Sequence, residues 1–481
     1  MLRETNFYID GEWVAPTSPK NYEVINPANE APFGVISLGS KSDVDKAVAA
    51  ATKAFQIWST VPHKERIERL KLLAKIYDAR ADEMAEAISM EMGAPIKLAV
   101  KSQTAAGLGH INAFIRALEE FKFENQLRDD TPDEYIIYEP IGVCGLITPW
   151  NWPMNQVTLK VVPAIGVGCT VILKPSEIAP MSSLLFAEFM DEANFPRGVF
   201  NLINGDGLGV GEAMSGHPDI DMMSFTGSTR AGKSVTKAGA DNVKRVALEL
   251  GGKGANLIFA DTNVPEAVKR GVLHCFNNSG QSCNAPTRML VEKMIYDQAV
   301  DIARETAEST LVGMPDEEGN HIGPLVSKVQ FDRVQALIEI GIAEGARLVA
   351  GGLGRPEGFN TGYFVRPTVF ADVNNEMRIA REEIFGPVLS IIPFETEEEA
   401  VKISNDTSYG LTDYIQTGDT HRLQRVARQL RAGMVQANGV KRASGSPFGG
   451  YKQSGNGREG GIHGFMEYLE VKAISGWSSE R

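Results

Sequence analysis

The sequence contains few of the residues from which metal centres and disulfide frameworks are built. Its 481 residues include only four cysteines and seven histidines. The cysteines, at positions 144, 169, 275 and 283, are dispersed and form no CxxC pair, and the histidines form no HExxH pattern or comparable cluster. A disulfide scaffold is therefore excluded, and a metal site is not expected.

An excess of positive charge is also missing. The chain has 61 acidic and 48 basic residues and a net charge of −13, which repels phosphate backbones and anionic lipid headgroups. The longest nearly uncharged apolar stretch, between Lys160 and Lys174, is shorter than the ~20 residues that span a bilayer. The first residues, MLRETNFYIDGEW, lack the continuous apolar stretch of a signal peptide. We expect a cytoplasmic protein with neither nucleic acid nor a membrane as a partner.

The fractions of hydrophobic and charged residues are those of a globular protein. Hydrophobic residues make up 43% and charged residues 23% of a chain that is too long for one core, so two or three domains are expected. Asp10-Gly11 lies between short apolar runs and predicts a β-hairpin. Apolar residues at helical spacing then predict a helix capped by Ser42 and a second helix from about 64 to 92.

From residue 140 onward, short apolar runs alternate with helical patterns. IGVCGLIT, TVILKP, GVFNLING and MMSFTGS are predicted strands, and helices are predicted near 156–167 and 181–193. This alternation indicates βαβ units on a parallel sheet, whose ligands lie at the carboxyl ends of the strands. A second α/β region follows Gly251-Gly252. The segments 135–140 and 467–475 alternate apolar and polar residues, and each is predicted to be an edge strand.

Cys283 differs from the other three cysteines in its surroundings. It lies in the polar, glycine-containing segment NNSGQSCNAPTR, whereas Cys144, Cys169 and Cys275 are embedded among apolar residues. A buried, inert thiol is the simpler interpretation for those three. Because a reactive thiol needs access and nearby backbone N–H donors, Cys283 is the candidate nucleophile.

Glu249 and Asn151 are the other candidates that stand out locally. Glu249 lies in the apolar string RVALELGG, where burial raises the pKa of a carboxyl towards that of a general base; an exposed position on a half-buried strand is the alternative. Asn151 lies between two tryptophans and two prolines in PWNWP, and its carboxamide suits an oxyanion. An ordinary turn before a helix is the alternative there.

These segments together resemble the aldehyde dehydrogenase superfamily, in its NAD(P)-dependent, hydrolytic, non-acylating type. The resemblance covers essentially the whole chain, and seven motifs occur in the order and spacing of the family. They are PWNWP at 149–153, KPSE at 174–177, FTGS at 225–228, LELGGK at 248–253, GQSC at 280–283, EEIFGPV at 382–388 and PFGGYKQSG at 447–455.

The resemblance implies a fold class and a division into domains. The fold is α/β, with two Rossmann-like domains, one for the cofactor and one for catalysis, and a small β module for oligomerisation. The expected ranges are 1–118 with 141–250 for the dinucleotide-binding domain, 251–450 for the catalytic domain, and 119–140 with 465–481 for the oligomerisation module. A homodimer or a dimer-of-dimers homotetramer is implied, formed by pairing of edge strands between subunits.

The resemblance also implies a role for each matching residue. Cys283 would be the nucleophile, Glu249 the general base, Asn151 the oxyanion donor together with the backbone N–H of Cys283, and Glu459 a proton relay. The substrate would be a small-molecule aldehyde, oxidised to an acid through a thiohemiacetal and a thioester on the cysteine. The implied cofactor contacts are Trp150, Lys174, Glu177, Gly207, Phe225, Gly227, Ser228, Leu250, Glu383 and Phe385.

The cofactor preference rests on Glu177. A carboxylate at the adenosine ribose accepts hydrogen bonds from both hydroxyls but repels a 2′-phosphate, so NAD is favoured and NADP remains possible. The usual GxGxxG fingerprint is absent, because Val210 stands where its third glycine would fall after Gly205 and Gly207.

The identity of the aldehyde is left open by the sequence. The resemblance places Trp152, Ser282 and Asn284 along the substrate tunnel, together with the loop 439–445. That loop carries Lys441 and Arg442, where many relatives are more apolar. We hypothesise that both bind an anionic group distal to the aldehyde; two solvated loop cations are the alternative.

Three other functions fit parts of the sequence. Residues 227–234 match the P-loop pattern GxxxxGK[ST], and LIFAD at 257–261 resembles a Walker B strand, which would indicate an NTPase. An acylating dehydrogenase that passes its thioester to coenzyme A is the second alternative, although Glu249 would then be superfluous. A non-enzymatic binding role is the third, and the intact trio of Cys283, Glu249 and Asn151 disfavours it.

Overall fold

The first large sheet has eight strands and contains most of the apolar runs that follow residue 140. The structure, a computed structural model, describes residues 1–477. In spatial order the strands are Gly455–Asn456, Arg245–Glu249, Met222–Thr226, Val143–Ile147, Thr170–Lys174, Phe200–Leu202, Phe7–Ile9 and Glu12–Val14. Those from Arg245–Glu249 to Phe200–Leu202 are parallel. This confirms the predicted parallel sheet, whose strands are apolar because helices cover them.

A second sheet of seven strands follows in the other half of the chain. Its spatial order is Arg347–Ala350, Thr368–Ala371, Val388–Phe394, Arg288–Glu292, Ala255–Ile258, Thr412–Gln416 and Met434–Ala437. All neighbouring pairs are parallel except the first. Two separate apolar clusters lie on this sheet, one on each side of its strands, as expected for a parallel sheet buried on both faces.

Three small sheets complete the β structure. The N-terminal one consists of Leu2–Glu4, Pro32–Ser37 and Asn21–Ile25, and a two-stranded one of Leu311–Val312 and His321–Ile322. The third consists of Leu469–Ser475, Glu134–Pro140 and Glu124–Gln126, all antiparallel. The prediction that residues 135–140 form an edge strand is therefore wrong: Glu134–Pro140 has neighbours on both sides within the chain. Leu469–Ser475 does lie at an edge.

Helices cover both large sheets. The α-helices are Lys41–Trp58, His63–Ala79, Ala81–Met92, Ile96–Leu98, Ala105–Glu120, Pro153–Val167, Met181–Glu192, Glu212–Ser215, Thr229–Gly239, Val264–Phe276, Tyr296–Glu308, Lys328–Ala343, Arg378–Arg381, Glu397–Asn405, Thr420–Gln429 and Gly461–Met466. Wider π-helical turns span Ala99–Thr104 and Gly207–Gly211. Short 3₁₀ turns span Ala240–Asn242, Asn277–Gly280, Lys293–Ile295 and Lys452–Ser454.

Two predicted helix boundaries are corrected by the structure. The cap of the first helix is Ser40 rather than Ser42, because Ser40 and Asp43 form a reciprocal capping box. The predicted helix 64–92 is two helices that meet at Arg80, whose φ of −112° and ψ of 23° are not helical. The hairpin at Asp10-Gly11 is confirmed, since both residues have positive φ and Phe7 pairs with Val14.

The P-loop match does not form a phosphate-binding loop. Only Gly227 and Ser228 separate the strand Met222–Thr226 from the helix Thr229–Gly239, so Gly232 and Lys233 lie on the helix itself. The strand that resembles Walker B, Ala255–Ile258, lies in the other large sheet. Since a P-loop and its Walker B strand act on one nucleotide from one sheet, this geometry disfavours an NTPase.

Within residues 1–477, no helix is both long and apolar enough to cross a membrane. Over the same residues, the side chains of histidine, cysteine, aspartate and glutamate form no group of three that could hold a metal ion.

Candidate active site

Cys283 lies in a loop whose backbone is held in an unusual conformation. Asn278, Ser279 and Gly280, which lie three to five residues before Cys283, all have φ between 53° and 73°, in the left-handed region. A side chain at Gly280 would meet the carbonyl oxygen of Gly386 at 2.1 Å, so only glycine fits there. Such strain is held only where the surroundings fix it, as at functional sites. Cys283 itself is half-buried, whereas the other three cysteines are fully buried.

The loop is tied to Asn151 through a network of buried amides. Asn151 Nδ2 donates to the carbonyl oxygen of Gln281 at 3.0 Å, and Asn278 Nδ2 donates to the carbonyl oxygen of Asn151 at 2.9 Å. Gln103, on the π-helical turn, donates to Asn151 O and to Asn278 Oδ1, both at 3.2 Å. The carboxamide of Asn151 is therefore fixed beside the nucleophile loop, with one N–H left for a substrate oxygen.

The carboxyl of Glu249 is buried, and neither of its oxygens has a hydrogen-bond partner among the described residues. Gly449 leaves the space for it, since a side chain there would meet Glu249 Oε1 at 2.7 Å. Burial raises the pKa of Glu249 well above its usual value, and the charge of Glu459 raises it further. A buried, unpartnered carboxyl with a raised pKa is the pattern expected of a general base.

Glu459 is also buried, and it forms an ion pair with Lys160, which donates to Ser224 Oγ at 3.1 Å as well. Glu459 lies four residues after the segment PFGGYKQSG, and its backbone pairs with that of Phe448 within the segment. The structure thus brings Glu459 and Glu249 together, although neither is near the other in sequence.

This pair predicts a pH effect. A general base acts only when ionised, so a raised pKa of Glu249 places the acidic limb of the rate profile at a higher pH. Replacing Glu459 with glutamine removes a like charge and lowers the pKa of Glu249. We expect kcat of the Glu459→Gln variant to fall on the acidic side at a lower pH than in wild type, whether or not the maximal kcat changes.

The measurement is the pH profile of kcat for wild type and the Glu459→Gln variant. Glu467→Gln is the control, because Glu467 affects the pKa of Glu249 less than Glu459 does, and its shift should be smaller. If kcat of the Glu459→Gln variant falls on the acidic side at the same pH as in wild type, or at a higher pH, the charge interaction between Glu459 and Glu249 is contradicted.

The thiol of Cys283 opens onto a cavity of about 190 Å³ that has the features of a cofactor site. Of the ten residues expected to contact a dinucleotide, six line it: Trp150, Gly227, Ser228, Leu250, Glu383 and Phe385. The rings of Trp150 and Phe385 meet edge to face at 5.4 Å. Ser228 caps the helix Thr229–Gly239, whose amino end suits a phosphate.

The other four expected residues lie outside this cavity. Phe225 packs under Gly227, whose Cβ would meet its ring at 2.7 Å, and Gly207 begins the turn capped by Asp206. Lys174 donates to the carbonyl oxygen of Gly205 at 2.6 Å and lies 3.4 Å from the carboxylate of Glu177. Lys174 and Glu177 therefore lie beside the loop that leads from Gly205 to Gly207, at the carboxyl end of the strand Thr170–Lys174, where such sheets bind ligands.

A family model described as the aldehyde dehydrogenase family matches residues 13–474. The chain belongs to that family. It is 52% identical to a 3-succinoylsemialdehyde-pyridine dehydrogenase from a Pseudomonas species, over 98% of both chains. The resemblance inferred from the seven motifs is thereby confirmed, and with it the class of enzyme.

Solved structures of aldehyde dehydrogenases superpose over nearly the whole chain. An aldehyde dehydrogenase from Bartonella henselae has a TM-score of 0.98 and 58% identity, covering 99% of this chain and 100% of its own. Aldehyde dehydrogenase C from Pseudomonas syringae, a cysteine-to-alanine mutant complexed with NAD+ and octanal, has a TM-score of 0.97 and 48% identity, covering 99% and 98%. The expected aldehyde dehydrogenase fold is confirmed.

The chain's own residues fit the nicotinamide end of a dinucleotide. A side chain at Gly251 would meet Glu383 Oε2 at 2.4 Å, so glycine leaves room for the carboxylate at the rim of the cavity. Glu383 also accepts a hydrogen bond from the backbone N–H of Gly252, and burial raises its pKa to about 7. The buried hydroxyl of Thr226 on the same wall has no partner among the described residues. A ribose hydroxyl would suit both groups.

Two residues of this cavity were missed from the sequence. Gln330 donates to the carbonyl oxygens of Ile384 and Phe385, at 3.0 and 2.9 Å, and Arg333 donates to that of Glu383 at 2.7 Å. Both line the cavity from the helix Lys328–Ala343. They hold the EEIFGPV segment in place, and nothing in their local sequence distinguishes them from ordinary polar residues on a helix.

The residues expected along the substrate tunnel do not all line one cavity. Trp152 Nε1 donates to Ser282 Oγ at 2.8 Å, which links PWNWP to the nucleophile loop. Arg442 lines a cavity of about 320 Å³ with His110, Asn155 and Phe448. Asn284, Lys441 and Arg442 line another, of about 410 Å³. Trp152 and Ser282 line neither of them.

Proposed function

We propose that this enzyme oxidises an aldehyde to a carboxylic acid with NAD as cofactor and Cys283 as nucleophile. The observation that carries the proposal is the convergence of three groups from distant parts of the chain: the half-buried thiol of Cys283, the fixed amide of Asn151 and the unpartnered carboxyl of Glu249. The thiol and the amide line the cavity that fits a nicotinamide, and the charge of Glu249 acts on the thiol by raising its pKa.

The first step is addition of the Cys283 sulfur to the aldehyde carbon. Burial raises the pKa of this thiol, and the carboxylates of Glu383 and Glu249 raise it further, so the resting group is the protonated thiol. Glu249 is placed to take its proton. Asn151 Nδ2 and the backbone N–H of Cys283 donate to the oxyanion that forms, and each such donor contributes on the order of 3 kcal/mol in comparable sites.

NAD, when bound, supplies the hydride acceptor for collapse of the thiohemiacetal. The protein then hydrolyses the thioester left on Cys283. Glu249 takes a proton from water, the hydroxide attacks the thioester carbon, and the acid leaves as the Cys283 thiolate is restored. Glu459, paired with Lys160, is placed to pass the proton away from Glu249.

NAD is favoured over NADP by the carboxylate of Glu177 at the end of the strand Thr170–Lys174. Its charge repels a 2′-phosphate but accepts hydrogen bonds from ribose hydroxyls. Two neighbours support this choice, since Pseudomonas syringae aldehyde dehydrogenase C and Staphylococcus aureus betaine aldehyde dehydrogenase, the latter 34% identical with a TM-score of 0.95, were crystallised with NAD+.

The proposal also includes the division into domains that the sequence predicts. We assign 1–118 with 141–250 to the cofactor, 251–450 to catalysis, and 119–140 with 465–481 to oligomerisation, of which 478–481 lie outside the described residues. A homodimer or dimer-based homotetramer is supported by the edge strand Leu469–Ser475, whose side chains are mostly exposed. We also propose a cytoplasmic location, which the few, dispersed cysteines suit because disulfides do not persist there.

The test is NADH formation, followed by absorbance, with aliphatic, aromatic and carboxylate-bearing aldehydes. Turnover of at least one class, with one carboxylic acid formed per NADH, is the expected result. An acyl-coenzyme A product would indicate the acylating alternative, and no reduction of NAD or NADP with any aldehyde would overturn the proposal.

A further inference from the structure

A cavity beside the nucleophile loop is lined by cations without counter-ions. This basic cavity, of about 410 Å³, is lined by Arg270, Lys441 and Arg442 together with neutral residues, and by no aspartate or glutamate. Over residues 1–477, none of its arginines and lysines has a carboxylate oxygen within 4.0 Å, although the protein carries 13 more acidic than basic residues. Elsewhere, arginines such as Arg422 are paired with acids.

Arg270 is fixed in this cavity by neutral partners. Its Nη2 donates to Gln416 Oε1 at 2.6 Å, and Gln416 Nε2 donates to Asn256 Oδ1 at 3.0 Å. Gln416 and Asn256 are both buried. A side chain at Gly439 would meet Arg270 Nε at 2.5 Å, so glycine lets the loop pack against the guanidinium. A guanidinium held in this way offers its remaining N–H groups to a ligand without further ordering.

Arg442 is likewise held without an acid. Its guanidinium lies over the ring of Phe448, 4.8 Å from the centroid, and Nη1 contacts the sulfur of Met434. It lines both the basic cavity and the cavity of His110 and Asn155. The charge of Arg442 therefore acts on both spaces.

The basic cavity lies beside the loop of the reacting cysteine and is separate from the cofactor cavity. Cys283 lines the cofactor cavity, whereas the next residue, Asn284, lines the basic cavity, and the two cavities share no lining residue. The hydroxyl of Tyr414 in the basic cavity donates to the carbonyl oxygen of Asn284 at 2.7 Å. A group held at Arg270 is thus close to the nucleophile loop but separate from NAD.

We propose that the basic cavity binds a carboxylate at the far end of the aldehyde substrate, with Arg270 as its anchor and Arg442 as its second cation. The substrates of this class are semialdehydes of dicarboxylic acids, and the product is then a dicarboxylate. This inference rests on the proposed function, and it adds Arg270, which carries no motif, to the substrate site.

The experiment compares matched substrates. The semialdehydes of the four-, five- and six-carbon dicarboxylic acids are paired with unbranched neutral aldehydes of the same lengths, and kcat/KM is measured for wild type, Arg270→Met and Lys269→Met. Lys269 is the matched control, because it is the preceding residue on the same helix, is exposed and does not line the cavity.

Wild type should prefer at least one semialdehyde over its neutral partner. Arg270→Met should lower kcat/KM for that semialdehyde by about tenfold or more, with a far smaller change for the neutral aldehyde. Lys269→Met should change neither. Arg270→Lys, which keeps the charge but loses the forked geometry, should fall between wild type and Arg270→Met, and it remains informative if the methionine variant does not fold.

A binding measurement shows whether the basic cavity binds the carboxylate of the substrate or an independent carboxylate ligand. Glutarate should bind wild type, measured calorimetrically, more tightly than Arg270→Met, and it should inhibit oxidation of the semialdehyde competitively. Non-competitive effects of glutarate, without a preference for semialdehydes, would overturn the substrate assignment in favour of a separate anion. Oxidation of neutral aldehydes with neither a preference nor glutarate binding would overturn this inference alone, whereas no oxidation of any aldehyde would overturn the proposed function.

Discussion

Replacing Cys283 with alanine is expected to lower NADH formation by at least about a thousandfold with every aldehyde, because Cys283 is the one thiol among the described residues that line the cofactor cavity. The variant should still fold, since the side chain is half-buried and its sulfur makes no hydrogen bond on which the loop depends. The measurement is the steady-state rate at saturating NAD and aldehyde, with the thermal midpoint recorded for each protein.

Cys275→Ala is the matched control. Cys275 is fully buried, burial raises the pKa of its thiol to about 12, and the thiol donates a hydrogen bond to the carbonyl oxygen of Val388. This variant should keep its turnover, with at most a modest loss of stability from the small cavity. Substantial turnover by the Cys283 variant would exclude covalent catalysis by this residue.

The three catalytic residues could be predicted because each departs from its immediate surroundings in the sequence. Glu249 is the one acidic residue in an apolar strand, Cys283 is the one cysteine in a polar loop, and Asn151 stands between aromatic residues and prolines. The structure ties Asn151 to the loop of Cys283 through hydrogen bonds that no local pattern specifies. The contact between Asn151 and Gln281, for example, joins residues 130 apart.

Residues that act from helices were missed for a physical reason. Gln103, Gln330 and Arg270 are polar residues on helices, where most polar side chains face solvent, so their sequence favours a surface position. Each becomes distinct only through partners supplied by another part of the chain: Asn151 for Gln103, Phe385 for Gln330 and Gln416 for Arg270. Such contacts depend on tertiary packing, which a single sequence does not reveal.

The fold was predictable where burial alone determines it. The apolar runs at Val143–Ile147 and Thr170–Lys174 predict central parallel strands, and both are fully buried. Strand partners depend instead on where distant segments return, so the neighbours of Glu134–Pro140 could not be predicted. The helix cap at Ser40 could have been found, because Asp43 stands three residues later, at the spacing of a capping box.

Replacing Glu249 with glutamine should separate the two halves of the reaction. The amide nearly preserves the shape of the side chain but cannot accept a proton from water, so hydrolysis of the thioester is expected to slow by about 10² to 10⁴. If the thiol still adds to the aldehyde, rapid mixing should show a burst of NADH close to one per active site, followed by a slow steady rate. The enzyme quenched after the burst should carry the acyl group on Cys283, detected by the mass of its peptide.

Glu467→Gln is the control for this experiment. Glu467 is a neighbouring carboxyl whose pKa is also raised by burial, but it accepts a hydrogen bond from the backbone N–H of Arg458 and is therefore already partnered. Its variant should turn over without accumulating the acyl enzyme. A slow Glu249→Gln variant without a burst would show that Glu249 is already required for activation of the thiol. Its raised pKa would then serve the first step, because a carboxyl that is harder to ionise is the stronger base towards a thiol whose own pKa is raised.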